Sequence, residues 1–159
     1  MELHAQKIAS SHPLVRELLE RLGEHLGEVR EERPNRIYCA IAPGDNAAVA
    51  RVLYCEMGAR LATISAVDLR DAIELNYHFC CDAQHCVVTF KTRAPKPDPH
   101  VESIAPLIAG ANWIEREIND LIGCRFDHHP GLERLILADD WPEGVHPLSR
   151  EYEQWARER

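Results

Sequence analysis

Three groups of residues in this chain are of types that carry chemistry or recognition. The first is His78-Phe-Cys80-Cys81-Asp-Ala-Gln-His85-Cys86. Imidazole and thiolate together are the donor set of zinc. The segment spans the junction of two β-type runs, Ile73–Cys81 and Cys86–Thr92, joined by Asp82–His85, and so predicts a hairpin. Side chains alternate along a strand, so Cys80 and Cys81 point to opposite faces and only a subset can converge. Free cysteine is among the most buried residue types. Thiols filling small apolar sites are therefore the favoured reading. A metal or thiol redox centre built from His78, Cys80, Cys81, His85 and Cys86 is the alternative.

The second group is Asp127-His128-His129, with His146 further on. Histidine is both a metal ligand and a proton shuttle. Pro130-Gly131 predicts a turn in which one of these rings bonds backbone. Cys124 lies four residues before His128, a nearness that does not by itself place a nucleophile against a base. The third group is the dense run of charge and tryptophan from Trp113 to Gly144. It holds Glu115, Arg116, Glu117 and Asp120, then Asp139-Asp140-Trp141. Tryptophan and arginine anchor interfaces once desolvated, so this run points to a protein partner. A solvated charged face is the plainer alternative.

The elements that must position these groups follow from periodicity and caps. Residues 12–22 predict an amphipathic helix, with Ser11 as cap and Leu14, Val15, Leu18, Leu19 and Leu22 on one face. A polar connector is expected to Asn35, then a strand at Arg36–Ile41. Asp45 caps a second helix that Gly58 ends, and Arg60–Ala66 reads as a strand. Pro95, Pro97 and Pro99 interrupt regular structure after the hairpin. Ser103 is expected to cap a short helix to Ala109. Asn112 is expected to cap the next, with Glu115 at the third helical position and Gly123 at its end. In that helix Ile114, Ile118, Leu121 and Ile122 form the core-facing stripe, Arg116 pairs with Asp120, and Glu115 and Glu117 favour the dipole. Past Gly123 the chain reads as loop, with a brief apolar piece at Leu135–Leu137. Tyr152 and Trp155 share one face of a charged tail. The expected fold is α+β, one domain with a mostly antiparallel sheet packed by helices and a loop-rich C-terminal segment.

Bulk properties exclude several classes. With 159 residues and a net charge of −8, the chain has no Lys/Arg stripe to meet a phosphate backbone, so no nucleic-acid partner is expected. No apolar run is long enough to span a bilayer, and no secretory leader is visible at the N-terminus. There is no Cys-x-x-Cys pair and no glycine-rich phosphate loop, which argues against an iron–sulfur cluster, a zinc ribbon or a bound nucleotide.

A long motif carries a resemblance. It comprises Trp113-x-Glu115-Arg116-Glu117-x-x-Asp120-Leu121-x-Gly123, Phe126-x-x-His129-Pro130-x-Leu132-x-Arg134 and Asp139-Asp140-Trp141, with Ala66-Val-Asp68 and Tyr77-His78-Phe79 upstream. Across residues 36–150 the sequence resembles the family of the NADH dehydrogenase 30-kDa subunit. That family serves respiratory complex I and related energy-converting, membrane-bound [NiFe] hydrogenases. The resemblance leaves residues 1–35 as an N-terminal helix and connector, and 151–159 as a short charged tail.

The resemblance implies a non-catalytic subunit of an oxidoreductase complex, held peripherally at the cytoplasmic face of the membrane through its partners. It implies no cofactor in this chain. Iron–sulfur clusters and a nickel–iron or quinone site are expected in the partners, a large 49-kDa-like subunit that this chain braces and a small iron–sulfur subunit. The implied contact residues are Trp113, Glu115, Arg116, Glu117, Asp120, Gly123, Phe126, His129, Pro130, Leu132, Arg134, Asp139, Asp140 and Trp141, with Arg116 expected to meet partner carboxylates. Two departures stand out. His128 replaces the family's usual glycine before His-Pro, and Ser149 occupies an arginine slot. The Asp139–Gly144 wording is similar to the hydrogenase branch.

Overall fold

The computed structural model describes residues 12–157. Helix α1 (Pro13–Leu22) buries Leu14, Val15, Leu18 and Leu22. Ser11 lies outside the described residues. His12 occupies the cap position instead, its Nδ1 accepting from the Leu14 N–H at 3.2 Å.

The protein then forms strand β1 (Leu26–Arg33) and strand β2 (Arg36–Ile41), an antiparallel pair that turns through Pro34-Asn35. The connector expected to Asn35 is therefore mostly strand. Its pattern hid it: only Leu26 and Val29 are buried, and a register irregularity lies between them. An irregularity of that kind breaks the two-residue alternation by which a strand is recognised.

Helix α2 (Asn46–Arg51) continues as a π-helical turn, Val52–Glu56, and Gly58, at φ +66°, turns the backbone into β3 (Arg60–Asp68). Strands β4 (Ala72–Cys81) and β5 (Cys86–Pro95) form the expected hairpin. The five strands make one sheet in the order β1-β2-β5-β4-β3. Only the β2–β5 pairing is parallel. Its inner face carries Ile37 and Cys39, then Leu75, Tyr77 and Phe79, then Val88 and Phe90, all at most 2% exposed. Phe79 and Phe90 meet edge to face at 6.4 Å. The outer face is polar, as alternation requires. There Lys91 lies over the Tyr38 ring, and Glu74 pairs with Arg93.

After the prolines a three-residue strand β6 (His100–Glu102) pairs in parallel with β7 (Arg125–Asp127). Between them, residues 103–110 form turns rather than the expected short helix. Ser103 Oγ does accept the Ala105 N–H at 3.1 Å, but its own hydroxyl is engaged elsewhere, as described below. Helix α3 (Ala111–Ile122) follows, and α4 (Tyr152–Arg157) closes the described residues. The architecture is α+β. Among the described residues no helix is long and apolar enough to cross a membrane.

Candidate functional site

Helix α3 and the loop after it form one unit, held by side chains that reach from helix to loop. The cap is Gly110, without a side-chain bond, so Asn112 is not the cap and Glu115 is not its capping-box partner. Glu115 is fully buried and turns inward. Its Oε2 accepts from Ser103 Oγ, and its Oε1 accepts from the Ile104 N–H at 2.8 Å. Burial pushes the Glu115 carboxyl up, against the Ser103 and Ile104 bonds that pull it down, to about 7. Glu115 thus braces the 103–105 turn rather than serving the helix dipole.

His129, whose side chain is wholly buried, sits 3.9 Å from Glu115. Its Nδ1 accepts the Gly131 N–H at 3.0 Å, so the ring proton resides on Nε2, which donates to the Asn112 carbonyl at 3.2 Å. Both nitrogens are therefore occupied by backbone.

Arg116 and Asp120 do not pair as expected. Arg116 donates to the carbonyls of Glu133 and Arg134, at 2.9 and 3.0 Å. Asp120 Oδ2 accepts three successive N–H groups, from Leu135 and Ile136 at 2.7 Å and Leu137 at 3.3 Å. Burial works to raise the Asp120 carboxyl, but the three N–H groups and Arg134 outweigh it and hold the group below the usual carboxylate range. Arg134 in turn donates to the carbonyls of Ala138 and Trp141, at 2.7 and 2.9 Å. The helix thus grips the loop with a cation on its carbonyls and an anion on its amides. Of the expected core stripe only Ile118 is buried. Ile114, Leu121 and Ile122 are half-buried, and Ala111 completes the packed face.

Gly123 ends α3 at φ +91°, its N–H reaching Ile118 and Asn119. A Cβ there would stand 2.6 Å from the His146 ring. His146 is itself fixed through Nδ1 to the Asp120 carbonyl at 2.8 Å. Gly123→Ala combines a left-handed backbone with that overlap and is expected to cost about 2 kcal/mol, read by urea denaturation. An unchanged midpoint would show that the loop yields freely.

The loop then returns to the domain. Trp141 Nε1 donates to the Val145 carbonyl at 2.8 Å, and the rings of Trp141, Tyr152 and Trp155 stack at 6.2 and 5.6 Å. Asp68, at the end of β3, has a buried side chain that binds Lys96 at 2.7 Å and the Arg150 N–H at 2.8 Å. Asp68 belongs to the upstream motif, yet its tie to a residue 82 positions away leaves no local trace. The same is true of Ser103, the partner of Glu115.

The other site residues fall into two sets. Phe126 is 2% exposed, and Leu132 packs against the core. Trp113 is 66% exposed, and Glu117, Pro130, Asp139 and Asp140 are exposed with it. Trp113 and Glu117, one turn apart, share a face of α3. Ile136 and Leu148 are also exposed.

The residues of the alternative metal site are dispersed. His78 bridges Ser65 and Thr89 on the outer sheet face, at 3.1 and 3.0 Å, whereas Cys81 and Cys86 are buried on the inner face. Desolvation, with Arg36 and Lys91, pushes the His78 pKa down. His128 faces Glu102 at 2.9 Å, apart from His129 and His146. Its φ of +60° lies in the left-handed region, which glycine adopts more readily than any residue with a Cβ. Cys124 is fully buried, and burial pushes its thiol up to about 12, so it is no activated nucleophile. Among the described residues no group of three His, Cys, Asp or Glu side chains is placed to hold a metal ion.

Residues 39–158 match the family model described as respiratory-chain NADH dehydrogenase, 30 Kd subunit. One subunit of the F(420)H(2) dehydrogenase of Methanosarcina mazei is 39% identical over 95 residues, covering 58% of this sequence and 60% of that protein. One subunit of the NADH-quinone oxidoreductase of Salinispora arenicola is 31% identical over 156 residues, covering 93% of this sequence and 59% of that one. The protein thus spans about three-fifths of the length of these relatives. One polypeptide in the structure of the membrane-bound sulfane sulfur reductase, an archaeal respiratory membrane complex, superposes with a TM-score of 0.80 at 22% identity. The match covers 91% of this protein and 86% of that polypeptide, a likeness of fold.

Proposed function

The chain belongs to the family of the respiratory-chain NADH dehydrogenase 30-kDa subunit, and from that premise we propose that it is a non-catalytic subunit of a membrane-bound oxidoreductase complex. The complex is of the NADH:quinone oxidoreductase or energy-converting [NiFe] hydrogenase type. In it the protein braces the large 49-kDa-like subunit beside the small iron–sulfur subunit. It sits at the cytoplasmic face of the membrane, held by its partners. The redox groups belong to those partners, and this protein contributes shape and register.

The observation that carries this reading is the contrast within one motif. Glu115, Asp120, Phe126 and His129 face inward and make the helix–loop unit stiff, while Trp113 stands 66% exposed upon it. A large aromatic held out by a rigid support costs little entropy when a partner covers it, the usual property of an interface anchor. The exposed Glu117 on the same helix face, and the exposed Asp139 and Asp140 on the loop, set orientation more than affinity.

Trp113→Ala tests this directly. A hot-spot anchor contributes about 2 kcal/mol or more, a loss of about 30-fold in affinity. Affinity purification of the tagged protein from its native cells is expected to recover the large and iron–sulfur subunits with the wild type and to lose them with the variant. The isolated variant should keep its melting temperature, as exposed positions do. Equal recovery of partners by both proteins would refute the anchor. Catalytic turnover by the isolated protein would refute the whole reading.

A further inference from the structure

Two buried thiols outside the helix–loop unit have a geometry with a chemical consequence. Cys81 ends β4 and Cys86 begins β5, and the two are direct Cα partners across the hairpin. Directly opposed residues of an antiparallel pair lie about 4.5 or 5.5 Å apart at Cα, and both separations fall inside the range a disulfide spans. Both side chains belong to the same, inner face of the sheet, at 4% and 3% exposure. Cys80 stands on the opposite face, opposite Val87, and Cys39 pairs with Phe90 rather than with either thiol. Only Asp82–His85 separates the two cysteines, and all four of those residues are exposed. The turn itself is closed by His85 at φ +49°.

The geometry points to Cys81 and Cys86 as a redox pair that closes into a disulfide across the hairpin tip by exchange with a small-molecule disulfide. The Cys81 thiolate attacks one sulfur of that disulfide, whose S–S bond breaks and releases one small thiolate. The Cys86 thiolate then attacks Cys81 Sγ and displaces the second. The two protein thiols lose two electrons and two protons, and the small disulfide becomes two thiols. Burial, with the charge of Cys86 beside it, pushes the Cys81 thiol up to about 11, and burial raises Cys86 as well. Exchange therefore proceeds through brief opening of the tip, a local event that leaves the rest of the sheet paired. Once formed, the bond ties β4 to β5 and closes that opening, so the tip carries a record of the surrounding redox poise.

The test incubates the full-length protein with oxidised glutathione at mildly alkaline pH, then unfolds it in excess N-ethylmaleimide and digests it with a protease that cuts before aspartate. Cleavage ahead of Asp82 parts the two cysteines, so a bridge leaves their peptides joined and lighter by two hydrogens than the sum. The joined species is expected in the wild type, with Cys55, which is exposed, carrying glutathione as proof that the oxidant acted. In Cys86→Ser, Cys81 is expected to hold the glutathione that the wild type displaces. Alkylated Cys81 and Cys86 beside a glutathionylated Cys55 would overturn the pair. So would separate glutathione adducts on both cysteines of the wild type, or a bridge through Cys80.

Discussion

Asp120→Ala is expected to release residues 135–137 from α3 and to cost about 2–3 kcal/mol of stability, the scale for removing a charged acceptor from part-buried N–H groups. Asp120 is 6% exposed, and one oxygen of its carboxylate takes three backbone N–H groups. Removal leaves those amides to find water in a half-buried loop, and it frees the Arg134 clamp on Ala138 and Trp141 that depends on the loop's path. Amide hydrogen exchange at Leu135, Ile136 and Leu137 is the direct measurement, with urea denaturation beside it. Asp120→Asn keeps one acceptor oxygen without the charge and should recover part of the protection. Unaltered exchange at all three amides in the alanine variant would mean the loop is held by its apolar contacts instead.

Glu115 sets the second large effect, and its sign is opposite to the usual one for a carboxylate. A native value near 7, above the ordinary 4.5, means the folded protein holds a proton that the unfolded one releases. The resulting stability is complete below about pH 4.5 and is lost as pH rises through about 7, a fall of as much as about 3 kcal/mol. The groups that face this carboxyl include Ser103, the Ile104 and Ala105 N–H groups, His129, Tyr77 and Cys124. Glu115→Gln retains an acceptor for the Ile104 N–H and presents an amide to Ser103 Oγ. It is expected to fold and to remove that part of the pH slope. Urea denaturation of both proteins at about pH 5 and about pH 8 isolates the difference, since other titrations are common to the two. Parallel slopes would show that Glu115 is ionised throughout. Glu115→Ala, which leaves the Ile104 N–H and Ser103 unpartnered in a dry site, should cost about 3 kcal/mol at either pH.

Both predictions concern residues that stand out in the sequence yet play roles that local reasoning assigns differently. Glu115 and Asp120 sit at helical spacings that suggest a capping box and an ion pair with Arg116. A helix taken alone offers those partners and no others. Folding brings better ones, because β6 and β7 align side by side and carry Ser103 and residues 131–137 back across α3. Burial then decides the matter: a carboxylate sheltered from water is held by N–H groups aimed at it far more firmly than by a flexible surface cation.

Strand β1 shows the other way in which local reading fails. Its Glu- and Arg-rich surface is what an exposed edge strand requires. With an irregular register at its start, it leaves only two buried apolar residues to announce it. By contrast α1 and the β4–β5 hairpin are legible, because a one-sided helix and an alternating pair of strands declare their buried faces through period alone.

What the linear sequence determined is therefore whatever depends on neighbours near along the backbone: the amphipathic helices, the hairpin and its turn, the absence of a phosphate loop, and a motif specific enough to show kinship. Which of the motif's charged groups turn inward and which stay outside was settled by the closing of the fold. Glu115 and Asp120 are enclosed, and Trp113 is left in the open. That division rests on contacts between residues 11 to 17 positions apart, and in the case of Asp68 82 apart. Water is excluded from a carboxylate by the whole fold closing over it, and no local pattern of residue types records where that closure occurs.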